Sequence, residues 1–311
     1  MYRLRVLTSA LFAVAAFAQE PGPVTLLVDV ENAVQYRSDI ADPARRGADA
    51  AATTAGPARA FTDVLFIGDI VAVNGKPARG LWTSRQFLMN FNPSPAPGFA
   101  VSDVARGTIA ECKWEFLDAD GRFIGALADS GLFPHAVTGG AGIFYGARGQ
   151  MTGGGNPPNP RPVRVASMSE DPSLRRALGG GTSRILFQII PLYRPAVHAV
   201  YHADFTPVTA EHPAQAGETL ILRASGLGPL APGTTPPGID PFPDPPAELN
   251  SPIEATLGGQ TARVLSKIGW PGEKDVYRVD IQVPGGVAPG HAALQLTAAW
   301  IPGTAAHIAV K

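Results

Sequence analysis

The stretch CKWEFLDADGRFIGAL, residues 112–127, limits the possible folds of this chain more than any other. Cys112, Trp114 and Phe116 alternate with Lys113 and Glu115, the period of a strand with one apolar face. Asp120-Gly121 then supplies a turn and a second alternating run follows, so the unit reads as a β-hairpin. The pattern recurs along the first half. VTLLVDVENAVQY is β-rich at its start, and FTDVLFIGDIVAVNGKPARGLW holds two apolar runs joined by the turn pair Asn74-Gly75. AGIFYGARG and SRILFQIIPLY supply further strands. Glycine and proline together (35 + 31 = 66 of 311 residues) are too frequent for long helices and too few to favour low-complexity disorder. One short helix is expected at DPSLRRAL, with Asp171 as its cap and Pro172 at its first position.

The strands between Val24 and about Pro195 are expected to close into one antiparallel barrel, because closure removes the edges an open sheet would expose. After YRPAVHAVYHADFTPV, read as a polar linker, the pattern changes to strands of five to seven residues at high density. ETLILRASGLG, IEATLGGQTARVLS, VYRVDIQVPGG, HAALQLTAAW and HIAVK fit an immunoglobulin-like sandwich, with Gly258-Gly259 as a hairpin turn. The proline-rich segment 229–252 is expected on the surface. The fold expected is all-β: a barrel over 19–196 and a sandwich over 197–311.

Residues 1–18 are expected to lie outside this fold. Arg3 and Arg5 precede the apolar stretch Val6–Phe17, and Ala16-Phe17-Ala18 has the small-x-small form of a signal-peptidase site. The stretch is too short for a bilayer span, which needs about 20 residues. A Sec signal cleaved after Ala18 and a secreted or periplasmic location follow as expectations, with no transmembrane segment in the mature chain. Charged residues are 16% of the chain and the net charge is -1, so no basic surface for nucleic acid is expected. Cys112 is the single cysteine, which leaves no internal disulfide. Its place on the apolar face of a strand reads as a small buried hydrophobe rather than a nucleophile.

The residues ADFTPVTAEHPAQAGETLILRASGLGP, PFPDPPAELNSPIEATLGGQTARVL and YRVDIQVPGGVAPGHAALQLTAAW closely resemble the Solibacter C-terminal domain family of secreted acidobacterial proteins, over roughly Ala199 to Lys311. That resemblance implies an Ig-like fold and no known activity. GDIVAVNGKPARGLW, WEFLDADGRFIGAL and above all AVTGGAGIFYGARGQ are similar to the allene oxide cyclase and dirigent barrels. The similarity implies eight strands around an apolar pocket, acting on or guiding small hydrophobic molecules. It transfers no catalytic residue, because the pocket acids and bases of those enzymes have no matching positions here.

Several patterns fail as chemical motifs. Gly140-Ala141-Gly142-Ile143-Phe144-Tyr145 puts Tyr145 where a dinucleotide fingerprint needs its third glycine, and strand-like residues follow instead of a helix. The glycines are expected to serve turns and close strand approach at a barrel corner. His198 and His202 lack the glutamate of a zinc-protease helix, and on a strand would stand about 13–14 Å apart. DADG lacks a calcium ligand at its fifth position, and GTSRI lacks the closing glycine of a hydrolase elbow. No cofactor and no metal site are expected. RVASMSEDPSLRRALGGG reads equally as a lid over the barrel mouth or as a salt-bridged loop. His135 reads mainly as a loop residue in solvent, with a pocket position as the alternative. If the glycine stretch has a functional edge, the pocket candidates are His135, Tyr145 and Arg148 at a barrel mouth.

The function expected is non-catalytic binding of a small apolar ligand or a cell-surface component. The alternatives are an isomerase or cyclase using the barrel pocket, and a structural protein of the cell surface or matrix.

Overall fold

A computed structural model describes residues 22–38, 61–90, 106–231 and 238–311. The expected signal peptide and its cleavage after Ala18 lie outside the described residues. The chain is all-β. The first sheet uses β1 (Val24–Arg37), β2 (Phe61–Val73), β3 (Lys76–Asn90), β4 (Arg106–Leu117), β5 (Phe123–Leu132), β6 (His135–Gly142), β7 (Arg148–Gly153), β8 (Arg164–Ser167) and β9 (Gly181–Ile190). β1 pairs with both β2 and β9, so eight strands form a closed antiparallel ring in the order β1-β2-β3-β4-β5-β6-β7-β9. Closure leaves the ring no free edge except the end of β1 past β9, which another strand occupies. β8 stands outside the ring. It joins β1 in parallel over Val34–Arg37, beyond the point where β9 leaves at Ala33.

Aromatic side chains fill the axis of the ring. Phe66 stacks on Trp82 at 5.4 Å, Trp82 on Trp114 at 5.0 Å, and Phe187 meets Trp114 edge-on at 5.2 Å. Phe116 then contacts Phe144 and, at 5.5 Å, Trp300 of the second sheet. Each such pair adds about 0.5–1.5 kcal/mol beyond the apolar area it buries. Asn74 and Gly75 both take positive φ, as a type I′ hairpin requires, and Gly121 does so in the turn after β4.

The glycine stretch after His135 is structural. A Cβ at Gly140 would lie 2.1 Å from the Phe144 carbonyl oxygen, and Gly142 has φ +63. Turn hydrogen bonds from Phe144 N–H to Ala141 and from Tyr145 N–H to Gly142 fold the chain back, leaving Phe144 fully buried against Phe116.

The expected helix at DPSLRRAL is reduced to a 3-10 turn over Pro172–Arg175, with the Asp171 carboxylate accepting from Ser173 N–H. The turn is short because both arginines are drawn to one acid. Arg176 makes a bidentate pair with Asp69 at 2.7 and 2.8 Å, and Arg175 binds the same carboxylate. Arg164 grips Glu170 at 2.9 and 2.6 Å. This segment runs along the outer wall over β1 and β2, where Val34, Tyr36 and Ala166 form a small second core. The salt-bridged reading therefore holds and the lid reading does not.

The second sheet begins at Ala196, inside the segment expected as a linker. It comprises β10 (Ala196–His202), β11 (Thr219–Ser225), β12 (Ile253–Leu257), β13 (Gln260–Gly269), β14 (Tyr277–Gln282), β15 (Gly290–Ala298), β16 (Ile301–Pro302) and β17 (Ala306–Val310). The order is β10-β11-β14-β13-β12-β15-β16, with β17 on β15. β13 pairs with β12 through Gln260–Ala262 and with β14 from Arg263 onward, and a bulge at Val264–Ser266 within the β14 ladder lets the sheet curl. Alternate residues Leu220, Leu222, Val279, Ile281, Leu294 and Leu296 are buried inside the curl. Gly258 and Gly259 both have positive φ between β12 and β13, as the hairpin turn requires. Among the described residues no helix is long and apolar enough to cross a membrane.

Candidate functional site

Two places on the barrel carry chemistry, one at each end. At the first, β3, β4 and β5 place Ser84, Cys112 and Asp129 in one row, because Ser84 is paired with Cys112 and Cys112 with Asp129. Strand parity turns this row inward with Trp82 and Trp114. A bulge on β6 at Thr138, opposite Ala128 and Asp129 of β5, lets the first residue of β6, His135, reach the same point. His135 Nδ1 lies 2.6 Å from Asp129 Oδ1 and 3.7 Å from Cys112 Sγ. Trp114 Nε1–H donates to Asp129 Oδ2 at 2.6 Å. The Cys112 thiol donates to Ser84 Oγ at 3.1 Å, and Gln86 donates to the same oxygen at 2.9 Å. The Asp129 side chain is fully buried and that of His135 is 5% exposed.

This arrangement is not a nucleophilic triad. The acid and the sulfur both face Nδ1, so the imidazole cannot take the thiol proton on one nitrogen while the acid holds the other. Burial, reinforced by the charge of Asp129, pushes the Cys112 thiol up to about 12, against the pull of the Ser84 hydroxyl and the Trp82 indole. A thiol so held is no nucleophile at neutral pH. Cys112 is buried as its alternation implies, but its neighbours are polar.

His135 is a buried ring with an acid partner, which corrects its reading as a solvent-facing loop residue. Tyr145 lies past the far end of β6, roughly 20 Å along the strand from His135. It is half-exposed and stacks on Tyr193 at 6.4 Å. Arg148 starts β7 opposite Ile190 and is exposed. The structure does not bring His135, Tyr145 and Arg148 together. Asp129 was missed, although one signal marked it: in FIGALADSGL it falls on the parity of Leu127, the buried face, where a carboxylate must find a partner. His198 and His202 take separate partners, Ser225 at 2.7 Å and Glu218 at 2.7 Å.

At the opposite end a cleft of about 520 Å³ opens between the barrel and the second sheet. Leu117, Ile124 and Trp300 give it apolar walls, while Asn250, Lys267 and Arg122, the last paired with the cleft acids Asp118, Asp120 and Glu248, bring polar groups. Asn250 donates to the Phe123 carbonyl at 2.8 Å, yet its Oδ1 is buried without a partner among the described residues. Lys267 donates to the carbonyls of Leu249 and Ser251 at 2.7 and 2.9 Å. Burial lowers its pKa, and the charges of Glu248 and Asp118 only partly offset this. Trp300 sits at φ +67 after Ala299 at φ +42, a turn that glycine and asparagine occupy at lower cost. That strained turn holds the indole against Phe116 and on the cleft wall.

No protein-family model matches the chain, and no curated protein matches it. Among solved structures, a polysaccharide lyase aligns over 93% of this chain at 9% identity and a TM-score of 0.18. The alignment covers 40% of that lyase, and a score this low carries no argument.

Proposed function

We propose that the protein is a secreted, non-catalytic binding protein whose small, mainly apolar ligand lies in the cleft between the barrel and the second sheet. One observation carries the reading. A ligand-sized cleft combines an indole wall with a buried, unpaired acceptor on Asn250 and a half-buried ammonium on Lys267. Binding sites have this character: apolar walls with a few convergent polar groups. The ligand chemistry that fits is a flat apolar body bearing an anionic group for Lys267 or a hydrogen-bond donor for Asn250. The barrel interior supports a ligand less well, since Trp82, Trp114 and Phe187 occupy its axis. The same packing counts against a cyclase or isomerase using that interior.

The proposal includes the finer assignments suggested by the sequence: a barrel of the allene oxide cyclase or dirigent type, an Ig-like domain of the Solibacter C-terminal family, and a Sec signal. The closed ring of eight antiparallel strands and the curled second sheet are in keeping with the first two.

The test uses 8-anilinonaphthalene-1-sulfonate, an apolar ring system with one sulfonate. A single saturable site is expected, lost in Trp300→Ala and weakened in Lys267→Met. Probe binding that neither substitution changes would overturn the reading.

A further inference from the structure

We propose that Cys112, Asp129 and His135 form a site for one thiophilic divalent cation of the Zn2+ class inside the barrel. The site is independent of the ligand cleft and lies at the other end of the ring.

The geometry comes first. One ligand atom from each of the three residues lies within 4.8 Å of the other two. A zinc ion holds sulfur at about 2.3 Å and nitrogen or carboxylate oxygen at about 2.0–2.2 Å, which in a tetrahedron sets ligand atoms roughly 3.3–3.6 Å apart. Cys112 Sγ and His135 Nδ1 stand 3.7 Å apart, close to that spacing. Nδ1 and Asp129 Oδ1, now hydrogen-bonded at 2.6 Å, need to part by less than about 1 Å. Ser84 Oγ, 3.1 Å from the sulfur, can supply the fourth position.

The surroundings fit an ion as well as the ligands do. Trp114 holds Asp129 Oδ2 and so aims Oδ1 at the centre, the orienting role that second hydrogen bonds play around metal ligands. The Trp82 indole N–H is buried, has no hydrogen-bond partner among the described residues, and acts on the Cys112 sulfur. A thiolate there would accept from it. Charge also balances, because a thiolate and a carboxylate neutralise a divalent cation and leave the interior without net charge. On binding, the thiol proton goes to solvent, while the Nδ1 proton moves to Nε2 or to solvent, freeing the nitrogen lone pair. Thiolate, imidazole and carboxylate together favour zinc or cobalt over calcium or magnesium.

Cobalt titration of the full purified chain tests this. One equivalent of Co2+ is expected to give a thiolate-to-cobalt charge-transfer band in the near ultraviolet and intense four-coordinate bands in the visible. Zn2+ should bleach both. Cys112→Ser should abolish the charge-transfer band, Asp129→Asn and His135→Gln should weaken binding by about tenfold or more, and His202→Ala should change nothing. Absence of the band in the unaltered protein, its survival in Cys112→Ser, or its loss in His202→Ala would each overturn the proposal. Zinc-edge X-ray absorption on the unaltered chain covers the case of a variant that does not fold. One sulfur with two or three nitrogen or oxygen neighbours is expected, and a shell lacking sulfur counts decisively against the site.

Discussion

At one end of the barrel, Ser84, Cys112, Asp129 and His135 close the interior with polar atoms that bind one another. At the other, Phe116, Phe144 and Trp300 carry apolar packing out of the ring and into the second sheet. Each end leaves buried polar atoms without partners among the described residues. Beside the cysteine it is a donor, the Trp82 N–H; around the cleft they are an acceptor, Asn250 Oδ1, and a hydroxyl that can donate or accept, Ser251 Oγ. Unpaired buried groups cost about 1–3 kcal/mol each, so both ends hold a cost that a bound species can relieve. The polar end suits a cation whose thiolate ligand accepts from the indole, and the cleft suits a molecule with a donor group.

Trp114 links the two ends, and its replacement should have the largest effect. It is fully buried, stacks on Trp82, meets Phe187, and anchors Asp129. Trp114→Ala should cost about 3–5 kcal/mol in urea unfolding. Trp114→Phe keeps most of the packing but strips a hydrogen bond from a buried carboxylate, and should cost about 1–3 kcal/mol. If the two variants are equally destabilised, the polar end depends on the indole N–H more than on the stack. Trp300→Ala comes next, at about 2 kcal/mol: a partly buried indole is lost from Phe116, while alanine keeps the Cβ and with it the strain of the positive-φ turn, which only glycine removes. Trp300→Gly should therefore be the milder of the two substitutions, and equal losses would show that the turn is not strained.

Turns and faces were legible in the sequence, and neighbours were not. Asn74-Gly75, Asp120-Gly121 and Gly258-Gly259 lie at hairpin turns, and Asn74, Gly75, Gly121, Gly258 and Gly259 there take the positive φ that glycine and asparagine tolerate best. The alternation around Cys112 correctly assigned it to a buried face. Nothing in that alternation tells that Asp129 stands opposite or that His135 joins it, because both depend on strand pairing and on the β6 bulge opposite Asp129. The helix expected after Asp171 failed for a similar reason: its two arginines answer to Asp69, about a hundred residues earlier in the chain. AVHAVYH reads as a polar linker, yet its Val200 is buried in the second sheet.

The outer wall offers a third kind of site, where the partly buried Asp69 carboxylate is paired with two arginines, while Arg175 Nε and the Tyr36 hydroxyl nearby have no hydrogen-bond partner among the described residues. Burial alone would raise the pKa of Asp69; hydrogen bonds from Arg176 and Asn32 and the charges of Arg175 and Arg176 outweigh it and hold the carboxyl below its ordinary value. A depressed folded pKa means stabilisation that is complete above the unfolded value, near 4, and lost as pH falls through the folded one. Asp69→Asn should cost about 1–2 kcal/mol at pH 7 and flatten part of the acid limb of the stability profile. Unfolding midpoints of both proteins measured from pH 7 down to pH 2 would show this as convergence. Parallel curves would mean that the acid contributes no pH-dependent stability.

The smallest effect is expected at Lys76, whose ammonium bridges to Glu254 across the cleft end at 2.5 Å. Both side chains are more than half exposed. The ion pair gains little in water of high dielectric and must order two long side chains, so Lys76→Ala should change stability by less than about 1 kcal/mol and less still in high salt. The contrast with Trp300 gives this weak prediction its use. Both residues join the barrel to the second sheet, one by charge and one by apolar contact. If apolar packing holds the two sheets together, Trp300→Ala should loosen them at any ionic strength and Lys76→Ala at none. Limited proteolysis of the connection between Ile190 and Ala196, run at low and high salt, separates these cases: faster cleavage in Lys76→Ala at low salt alone would assign the junction to charge.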